Sequence, residues 1–396
     1  MKTVLIFRTQ LLERSETFIR AQAENLLRYD PHYVGWRHKT DGLAFPREKA
    51  LVINTGGLAG KLREARFRLL GPGYESLRTL RALGPRLVHA HFGLDACEAL
   101  SLARRLHLPL VTTFHGYDAT MKDSTLRQWR TGRKFIRLRP HLQDRGSLFI
   151  AVSEFVRNRL LSMGFPPERT VVHYIGVDAD KFSPSDPGIR QPAVLFVGRL
   201  VEKKGCSYLL RAMSEVQRVA PETRLVIIGD GPEKQNLHNL ARKLGVRVEF
   251  LGAQPPDVVL SWMTLASVFC VPSVTANNGD SEGFGIVFAE AQACATPVVS
   301  FATGGIPEAV AHGKTGLLAP ERDWQTLASS LLLLLRNNEL RSRLGLAGRR
   351  RVVSQFNLRK QTALLEDLYD HAVVGSLPSR HITSMKPLPK ELGAES

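Results

Sequence analysis

Cysteine is scarce in this chain of 396 residues, and its few thiols are scattered. Cys97, Cys206, Cys270 and Cys294 form no Cys-x-x-Cys pair and have no histidine nearby at metal-binding spacing. Disulfide scaffolds and structural zinc modules need such pairs, so the sequence excludes both classes. It predicts four reduced thiols in the core of a cytoplasmic protein.

Long apolar runs are also missing. The first residues, MKTVLIFRTQ, contain one lysine and a short apolar run, without the longer stretch and cleavage site of a signal peptide. The longest later run, at residues 327–336, is too short to cross a bilayer. We therefore expect neither secretion nor a transmembrane anchor.

Acidic residues are few relative to basic ones. The chain holds 54 Lys and Arg against 37 Asp and Glu, a formal net charge of +17. Residues 1–185 contain 30 of these basic residues and 17 of the acidic ones. Two basic segments, 61–70 and 126–145, carry apolar residues at helical spacing, which fits a peripheral position on the anionic inner face of the plasma membrane. A solvated basic face is the alternative. The sequence contains no recognisable nucleic-acid reader module, so we expect no nucleic-acid partner.

Apolar, β-rich runs alternate with helical patterns, which is the rhythm of βαβ units. A Pro- and Ser-rich stretch, KFSPSDPGIRQP, interrupts this rhythm and reads as a linker. We therefore predict an α/β protein of two Rossmann-like, doubly wound parallel-sheet domains, 1–185 and 186–355, that face each other across a cleft. We expect a helix at 356–375 that packs back towards the first domain, and a loose tail at 376–396. The predicted strands are 3–7, 32–36, 86–92, 109–115, 147–153, 170–176, 193–198, 224–229, 247–252, 267–272 and 296–301.

The stretch SEGFGIVFAEAQACATPVVSFATGGIPEAV (281–310) is the most informative one. Two glycines permit a tight turn before a helix that begins near Ile286, and the free N–H groups of a helix N-terminus can hold a phosphate. Glu282 in the turn can reach sugar hydroxyls, and Glu290 on the helix can accept a hydrogen bond from a ribose. A plain strand–helix unit with a solvated glutamate is the alternative.

A pair of cations follows the strand predicted at 193–198. Arg199 and Lys204 lie at its carboxyl end, where open parallel sheets bind ligands. A diphosphate leaving group needs such cations, because its negative charge grows as the sugar–oxygen bond breaks. Because Lys204 and Glu282 are expected at loop tips, we expect their substitution to cost little stability. A solvated basic loop is the alternative.

Histidines occupy the strand ends of the first domain. His115 ends a strand and should face the cleft, where it can contact a donor sugar. His89 and His91 alternate on the preceding strand without a third metal ligand at suitable spacing, and we interpret them as core or cleft-lining residues. Asp178 and Asp180 superficially match an Asp-x-Asp metal motif, but they lie far from the phosphate motifs and are interpreted as a turn. We therefore expect no essential metal.

Together these motifs resemble the retaining glycosyltransferases of family 4, which have the two-domain GT-B fold. The resemblance extends to about residue 372 and is nearest to the group that acts in bacterial exopolysaccharide, lipopolysaccharide and colanic-acid synthesis. The motifs that carry it are SETFI (15–19), HAHFG (89–93), FHGYD (114–118), AVSEFVRNRLL (151–161), the IGVD turn (175–182), VGRLVEKKG (197–205), IIGDGP (227–232) and Glu282 through Glu290.

The resemblance implies transfer of a hexose-type sugar, with retention, from a UDP- or GDP-linked donor to a glycan or lipid-linked acceptor, without metal or cofactor. It implies that His115 and Glu282 are catalytic. Many relatives have a Gly-Gly donor loop after the first strand, which RTQLLERSETFI replaces here, and Ser15 and Thr17 are expected on the acceptor side. The implied donor-binding residues are Arg199, Lys204, Gly229, Gly231, Phe284, Gly285, Ile286 and Glu290.

Two other functions stay open on the sequence alone. A nucleotide-sugar epimerase on the same fold would convert its substrate without an acceptor. A basic protein that binds nucleic acid or membrane would catalyse nothing.

Overall fold

The first domain is built on a seven-stranded parallel sheet. The computed structural model describes residues 1–14, 16–38, 42–184 and 190–377. The strands are β1 (Lys2–Leu11), β2 (Tyr29–His38), β3 (Ala50–Val52), β4 (Pro85–His91), β5 (Leu110–Phe114), β6 (Leu148–Ala151) and β7 (Thr170–Val172). Their order is β3-β2-β1-β4-β5-β6-β7. The central strands are apolar on both faces because helices cover both sides of the sheet.

The helices of the first domain connect these strands. Ser153 caps α8 by accepting a hydrogen bond from the Val156 backbone N–H, as expected for a serine at this position. The helices are α1 (Thr17–Glu24), α2 (Gly57–Leu70), α3 (Tyr74–Ala82), α4 (Gly93–Leu106), α5 (Tyr117–Thr120), α6 (Asp123–Leu126), α7 (Arg130–Arg145) and α8 (Glu154–Ser162).

The second domain repeats this plan with a six-stranded parallel sheet. Its strands are β8 (Gln191–Val197), β9 (Arg224–Ile228), β10 (Val248–Gly252), β11 (Ala266–Cys270), β12 (Val298–Phe301) and β13 (Gly316–Ala319). Their order, β10-β9-β8-β11-β12-β13, reverses direction beside β8, and ligands bind at such a switch point in doubly wound sheets. Its helices are α9 (Cys206–Val219), α10 (Lys234–Leu244), α11 (Pro256–Leu265), α12 (Ile286–Ala293), α13 (Ile306–Ala309), α14 (Trp324–Arg336) and α15 (Asn338–Gln355).

The last described helix, α16 (Leu358–Val374), crosses back to the first domain. Its residues Leu365, Leu368 and Tyr369 are buried in a cluster with residues of β1 and β4. Glu366 on the same helix accepts hydrogen bonds from the backbone N–H groups of residues 27–29, at 2.6–3.1 Å. Apolar packing and these hydrogen bonds therefore hold α16 on the first domain.

The predicted fold class is confirmed: both sheets are parallel and doubly wound. All eleven predicted strands are present, whereas β3 and β13 were not predicted. The four cysteines are free and buried. No helix in the described part of the chain is both long and apolar enough to cross a membrane.

Candidate active site

The two domains touch where the end of β5 meets the turn before α12. His115 and Gly116 follow β5, and Glu282 and Gly283 precede α12. A side chain on Gly283 would collide with the carbonyl oxygen of His115, and one on Gly116 would come within 3.3 Å of the Gly283 backbone nitrogen. Glycine therefore lets the two backbones meet. The contact brings His115 and Glu282, which come from separate motifs, into one site.

Glu282 is only 8% exposed at this junction. Its carboxylate accepts hydrogen bonds from Lys204 Nζ at 2.5 Å and from Ser273 Oγ at 3.4 Å. Burial by itself would raise the pKa of Glu282, but Lys204 and Lys203 hold that pKa below its usual value, so the carboxylate is ionised at neutral pH. The expectation that both members of this pair lie at exposed loop tips is wrong, because the first domain covers the turn.

Helix α12 begins at Ile286, as the sequence predicts, directly after Gly285 with a φ of +77°. The first N–H groups of a helix have no partner within it and can bind a phosphate. Phe284 is buried, and its ring lies 5.6 Å from that of Tyr174 and 5.1 Å from that of Phe356. Its side chain therefore anchors the turn, and only its backbone can meet a ligand.

Glu290 lies one turn into α12 and is partly buried. Burial raises the pKa of Glu290 to about 7, against the opposing effect of Lys181. Its carboxylate has no hydrogen-bond partner among the residues that the structure describes. A desolvated carboxylate without a partner gains from a hydroxyl donor, and a ribose offers two.

The loops after β8 and β9 lie side by side at the carboxyl edge of the second sheet. Gly229, with a φ of +146°, has no room for a side chain against the Gly198 carbonyl, and Gly231 packs on the Leu200 carbonyl. Arg199 lies between these contacts and is exposed, and its side chain has no hydrogen bond or ion pair to any residue in the described ranges. Its guanidinium is therefore available to an anion.

The His115 ring is enclosed by aromatic side chains of the first domain. Its centroid lies 4.9 Å from that of Phe18 and 4.7 Å from that of Phe92. Its Nε2 lies 3.0 Å from Nδ1 of His91. Burial, together with two neighbouring basic side chains, places the pKa of His115 well below its usual value, so the ring is neutral at pH 7. Its Nδ1 is buried without a hydrogen-bond partner among the described residues.

The loop after β1 contains a buried ion cluster that sequence reasoning missed. Ser15 lies outside the described residues, and Thr17 is exposed at the first position of α1. Between them, Glu16 forms an ion pair with Arg8, which also pairs with Asp95. The three side chains are at most 8% exposed. The cluster fixes Glu16, which directly precedes Thr17.

Hydrogen bonds connect the domains beside the junction. Glu308 of α13 accepts from the first two backbone N–H groups of α8, at 2.7 and 2.9 Å, and from the Tyr174 hydroxyl at 3.0 Å. The Ser153 hydroxyl donates to the Gly283 carbonyl at 2.5 Å. Glu308 thus acts as a cap for a helix of the other domain.

The two basic segments differ in their surroundings. On α2, the large apolar side chains Leu58, Leu62, Leu69 and Leu70 are between 66% and 83% exposed beside several cations. In segment 126–145, Phe135 is fully buried and Lys134 pairs with the buried Glu98 at 2.5 Å. Trp129, at 42%, is the large apolar residue that this second segment exposes. Much of its apolar character therefore belongs to the core.

Asp178 accepts hydrogen bonds from the backbone N–H groups of Asp180 and Lys181, at 3.1 and 3.0 Å, which is the turn that the sequence predicts. Within the described ranges, no three His, Cys, Asp or Glu side chains are grouped so that they could hold a metal ion.

Two family models match most of the chain, one on each domain. The model "Glycosyltransferase Family 4" matches residues 15–181, and the model "Glycosyl transferases group 1" matches residues 180–351.

Several proteins with curated names are similar in sequence. A GDP-mannose-dependent alpha-(1-6)-phosphatidylinositol monomannoside mannosyltransferase of Mycolicibacterium smegmatis is 36% identical over 55% of this chain and 60% of its own. A putative colanic acid biosynthesis glycosyltransferase, WcaL, of Salmonella typhimurium is 34% identical over 61% of this chain and 59% of its own. The match therefore spans about three fifths of these two relatives. A D-inositol 3-phosphate glycosyltransferase of Corynebacterium aurimucosum is 30% identical over 74% of both chains.

Solved structures share the fold over nearly the whole chain. Sucrose-phosphate synthase from Thermosynechococcus elongatus superposes with a TM-score of 0.75 at 21% identity, over 95% of this chain and 100% of its own. HepE from Anabaena, solved in complex with UDP-glucose, superposes with a TM-score of 0.75 at 19% identity, over 93% of this chain and 100% of its own. At these identities the likeness shows the GT-B fold alone.

Proposed function

The chain belongs to the glycosyltransferases of group 1 and family 4, and we propose that it transfers a hexose-type sugar from a UDP- or GDP-linked donor to a glycan or lipid-linked acceptor of the cell surface. The junction where the backbone at His115 and Gly116 of one domain meets the backbone at Gly283, next to Glu282 of the other, carries this proposal. A two-domain transferase can hold the donor in one domain and present its reacting carbon, in the geometry for attack, to an acceptor held by the other. The junction provides such a place.

On this proposal the second domain binds the nucleotide. Arg199 is available to the diphosphate, and Lys204 reaches it by exchanging its bond to Glu282 for one to a phosphate oxygen. The N-terminus of α12 adds backbone N–H groups to the same phosphates. Glu290 accepts from the ribose, Glu282 from the donor-sugar hydroxyls, and the turn at Gly229–Gly231 borders the base.

We further propose that transfer retains the anomeric configuration. Double displacement needs a carboxylate nucleophile opposite the leaving group. Glu282 and Glu290 are assigned to the sugar hydroxyls and the ribose, and the neutral His115 is a poor nucleophile towards sugar. A front-face route remains: the bond from the anomeric carbon to the diphosphate oxygen breaks with its electron pair on the diphosphate. The acceptor oxygen then bonds the same face and gives its proton to that phosphate oxygen.

No metal is needed on this route, because Arg199, Lys204 and the helix N-terminus supply positive charge to the leaving group.

The acceptor is expected at the membrane. The exposed leucines of α2 lie among cations, which is the composition of a helix that lies in the interface of an anionic bilayer. We therefore place the protein peripherally on the inner face of the plasma membrane.

A panel of nucleotide sugars tests the donor assignment. UDP-glucose and GDP-mannose, with UDP and GDP alone, are scored by thermal shift; a ligand at 100 times its Kd stabilises the fold by about 2.7 kcal/mol. Arg199→Ala should abolish the shift, while Arg218→Ala, at an exposed position near the end of α9 in the same domain, should preserve it. No shift with any nucleotide would refute the donor site. Conversion of the donor to a new nucleotide sugar without acceptor would favour the epimerase.

A further inference from the structure

The catalytic candidate His115 has a histidine partner on the neighbouring strand. Strands β4 and β5 pair in parallel, which places His91 of β4 beside the end of β5. Nδ1 of His91 lies 3.0 Å from Nε2 of His115, and the two rings stack at 5.3 Å with an interplanar angle of 22°. His91 is 1% exposed. The contact is therefore a buried hydrogen bond between two imidazoles.

The direction of this hydrogen bond decides whether the other His115 nitrogen donates or accepts. A neutral imidazole carries one ring proton, so its two nitrogens have opposite characters. If Nε2 of His115 donates to His91, its Nδ1 is an acceptor; if Nε2 accepts, its Nδ1 is a donor. That Nδ1 is buried and has no partner among the described residues. A purely structural role for His115 leaves this nitrogen unexplained, because buried polar atoms are normally satisfied.

A second set of contacts holds His91 from behind. The ring of His89 lies 4.3 Å from that of His91, as a packing contact that fixes position without passing a proton. Both nitrogens of His89 are satisfied: Nδ1 lies 2.6 Å from the Tyr369 hydroxyl and Nε2 lies 2.7 Å from Thr113 Oγ1. Tyr369 belongs to α16, so the returning helix supports the strand end that carries His91. Burial lowers the pKa of His89 to about 3 and keeps it uncharged.

We propose that His91 is a positioning residue: it fixes the tautomer and ring orientation of His115 and leaves Nδ1 as the one nitrogen that meets the donor sugar. Tyr369, His89 and Thr113 hold His91 in place. The proposal rests on the proposed transfer reaction for its kinetic consequence but not for its geometry, because the hydrogen bond exists without substrate.

Two variants of His91 separate positioning from packing. His91→Leu removes the ring nitrogen, whereas His91→Asn restores a side-chain polar atom close to the Nδ1 position. His173→Leu is the matched control: His173 is equally buried, at 2%, and its ring bonds the Gln361 carbonyl at 2.7 Å, outside the histidine pair. All three are made in the full chain, and their folding is checked by thermal unfolding.

The first measurement is release of nucleoside diphosphate and sugar transfer from UDP-glucose and GDP-mannose. Misplacing a catalytic group by about 1 Å costs about 100-fold in rate, so we expect His91→Leu to lower kcat by about that factor. Binding of UDP or GDP alone should be unchanged, since the nucleotide lies in the other domain. His91→Asn should recover at least part of the rate, and His173→Leu should keep wild-type kcat.

The second measurement is the ring nitrogen NMR of His115 in protein labelled with nitrogen-15 on histidine. His91→Leu should shift the His115 resonances towards a mixture of tautomers, and His173→Leu should not. Unchanged His115 resonances in His91→Leu would overturn the proposal, as would a kcat equal to that of His173→Leu. A wild-type protein that transfers neither sugar would count against the proposed function, while the NMR result would still decide the role of His91.

Discussion

Replacing Lys204 by methionine tests whether the buried ion pair belongs to the reaction. The substitution keeps the apolar stem and removes the charge that lies 2.5 Å from Glu282. Removing one partner of a buried pair costs about 3–5 kcal/mol, and the side chains here are 15% and 11% exposed, so we expect about 2–3 kcal/mol of lost stability. Loss of a cation at the departing diphosphate should lower kcat by about 100-fold.

The stability loss should depend on pH in a defined direction. In the wild type the folded pKa of Glu282 is lowered, so its ion pair contributes stability above pH 4.5 that is lost as pH falls through the folded pKa. Without Lys204, the effect of burial dominates and raises the pKa of Glu282. The variant is then more stable at low pH, where Glu282 is protonated and buried without charge. Lys204→Met should therefore be further below the wild type in stability at pH 7.5 than at pH 5, by about 1.4 kcal/mol for each unit by which the pKa of Glu282 in the variant exceeds 5.

Urea unfolding at both pH values and the transfer assay provide the readouts. Lys203→Met is the matched control, because Lys203 pairs with Asp280 at 2.9 Å and both side chains are 18% exposed. It should keep transfer within a few-fold of wild type. Combining Lys204→Met with Glu282→Gln removes both charges and should restore part of the stability but none of the activity. A pH-independent deficit, or wild-type transfer by Lys204→Met, would refute the reasoning.

Four other outcomes are expected. EDTA should leave transfer intact; full loss restored by Mn²⁺ or Mg²⁺ would contradict the metal-free route. An α-linked donor should give an α-linked product by the anomeric coupling constant in proton NMR of fresh product, and a β-linked product would show inversion. Binding to anionic vesicles should weaken with salt and in the double variant Leu62→Ser with Leu69→Ser. Leu346→Ser, at an exposed position of the second domain, should bind as the wild type does. Equal sedimentation of the wild type, the double variant and the control with vesicles would place the membrane contact elsewhere. The KM for donor should rise as pH falls from 8 to 6, because the pKa of Glu290 is about 7, and Glu290→Gln should flatten this profile.

The strands were predictable because a strand that is buried on both faces of a sheet has a continuous run of apolar residues. The two strands that were not predicted lie at sheet edges. Ala50–Val52 has three residues, all half-buried, and Gly316–Ala319 has four, of which two are half-buried. Neither is long enough to show a period, and pairing with a neighbour is what makes each of them a strand.

The site was predictable where one motif contains its own geometry, as at the turn and helix from Glu282 to Glu290. Contacts between distant segments were not. Arg8 and Asp95 are 87 positions apart, and Lys204 and Glu282 are 78 apart. The only local sign of the Arg8 cluster is an arginine directly after the apolar run from Val4 to Phe7, and such an arginine must find a carboxylate if it is buried. His91 alternates with His89, but only the parallel register of β4 and β5 places it on His115.

The two kinds of interdomain contact suit different tasks. Helix α16 joins the first domain through buried apolar residues such as Leu365 and Leu368. Across the cleft, by contrast, the contacts are largely polar: Ser153 donates to a backbone carbonyl, and Glu308 accepts from backbone N–H groups and from Tyr174. Close glycine packing and the ring contact of Tyr174 with Phe284 complete them. A hydrogen bond makes a net contribution of only about 1 kcal/mol to stability, because hydrogen bonds to water replace it when the two surfaces separate. Polar surfaces can therefore admit a charged donor at low cost, while apolar burial keeps α16, and with it Tyr369, fixed behind the histidine pair.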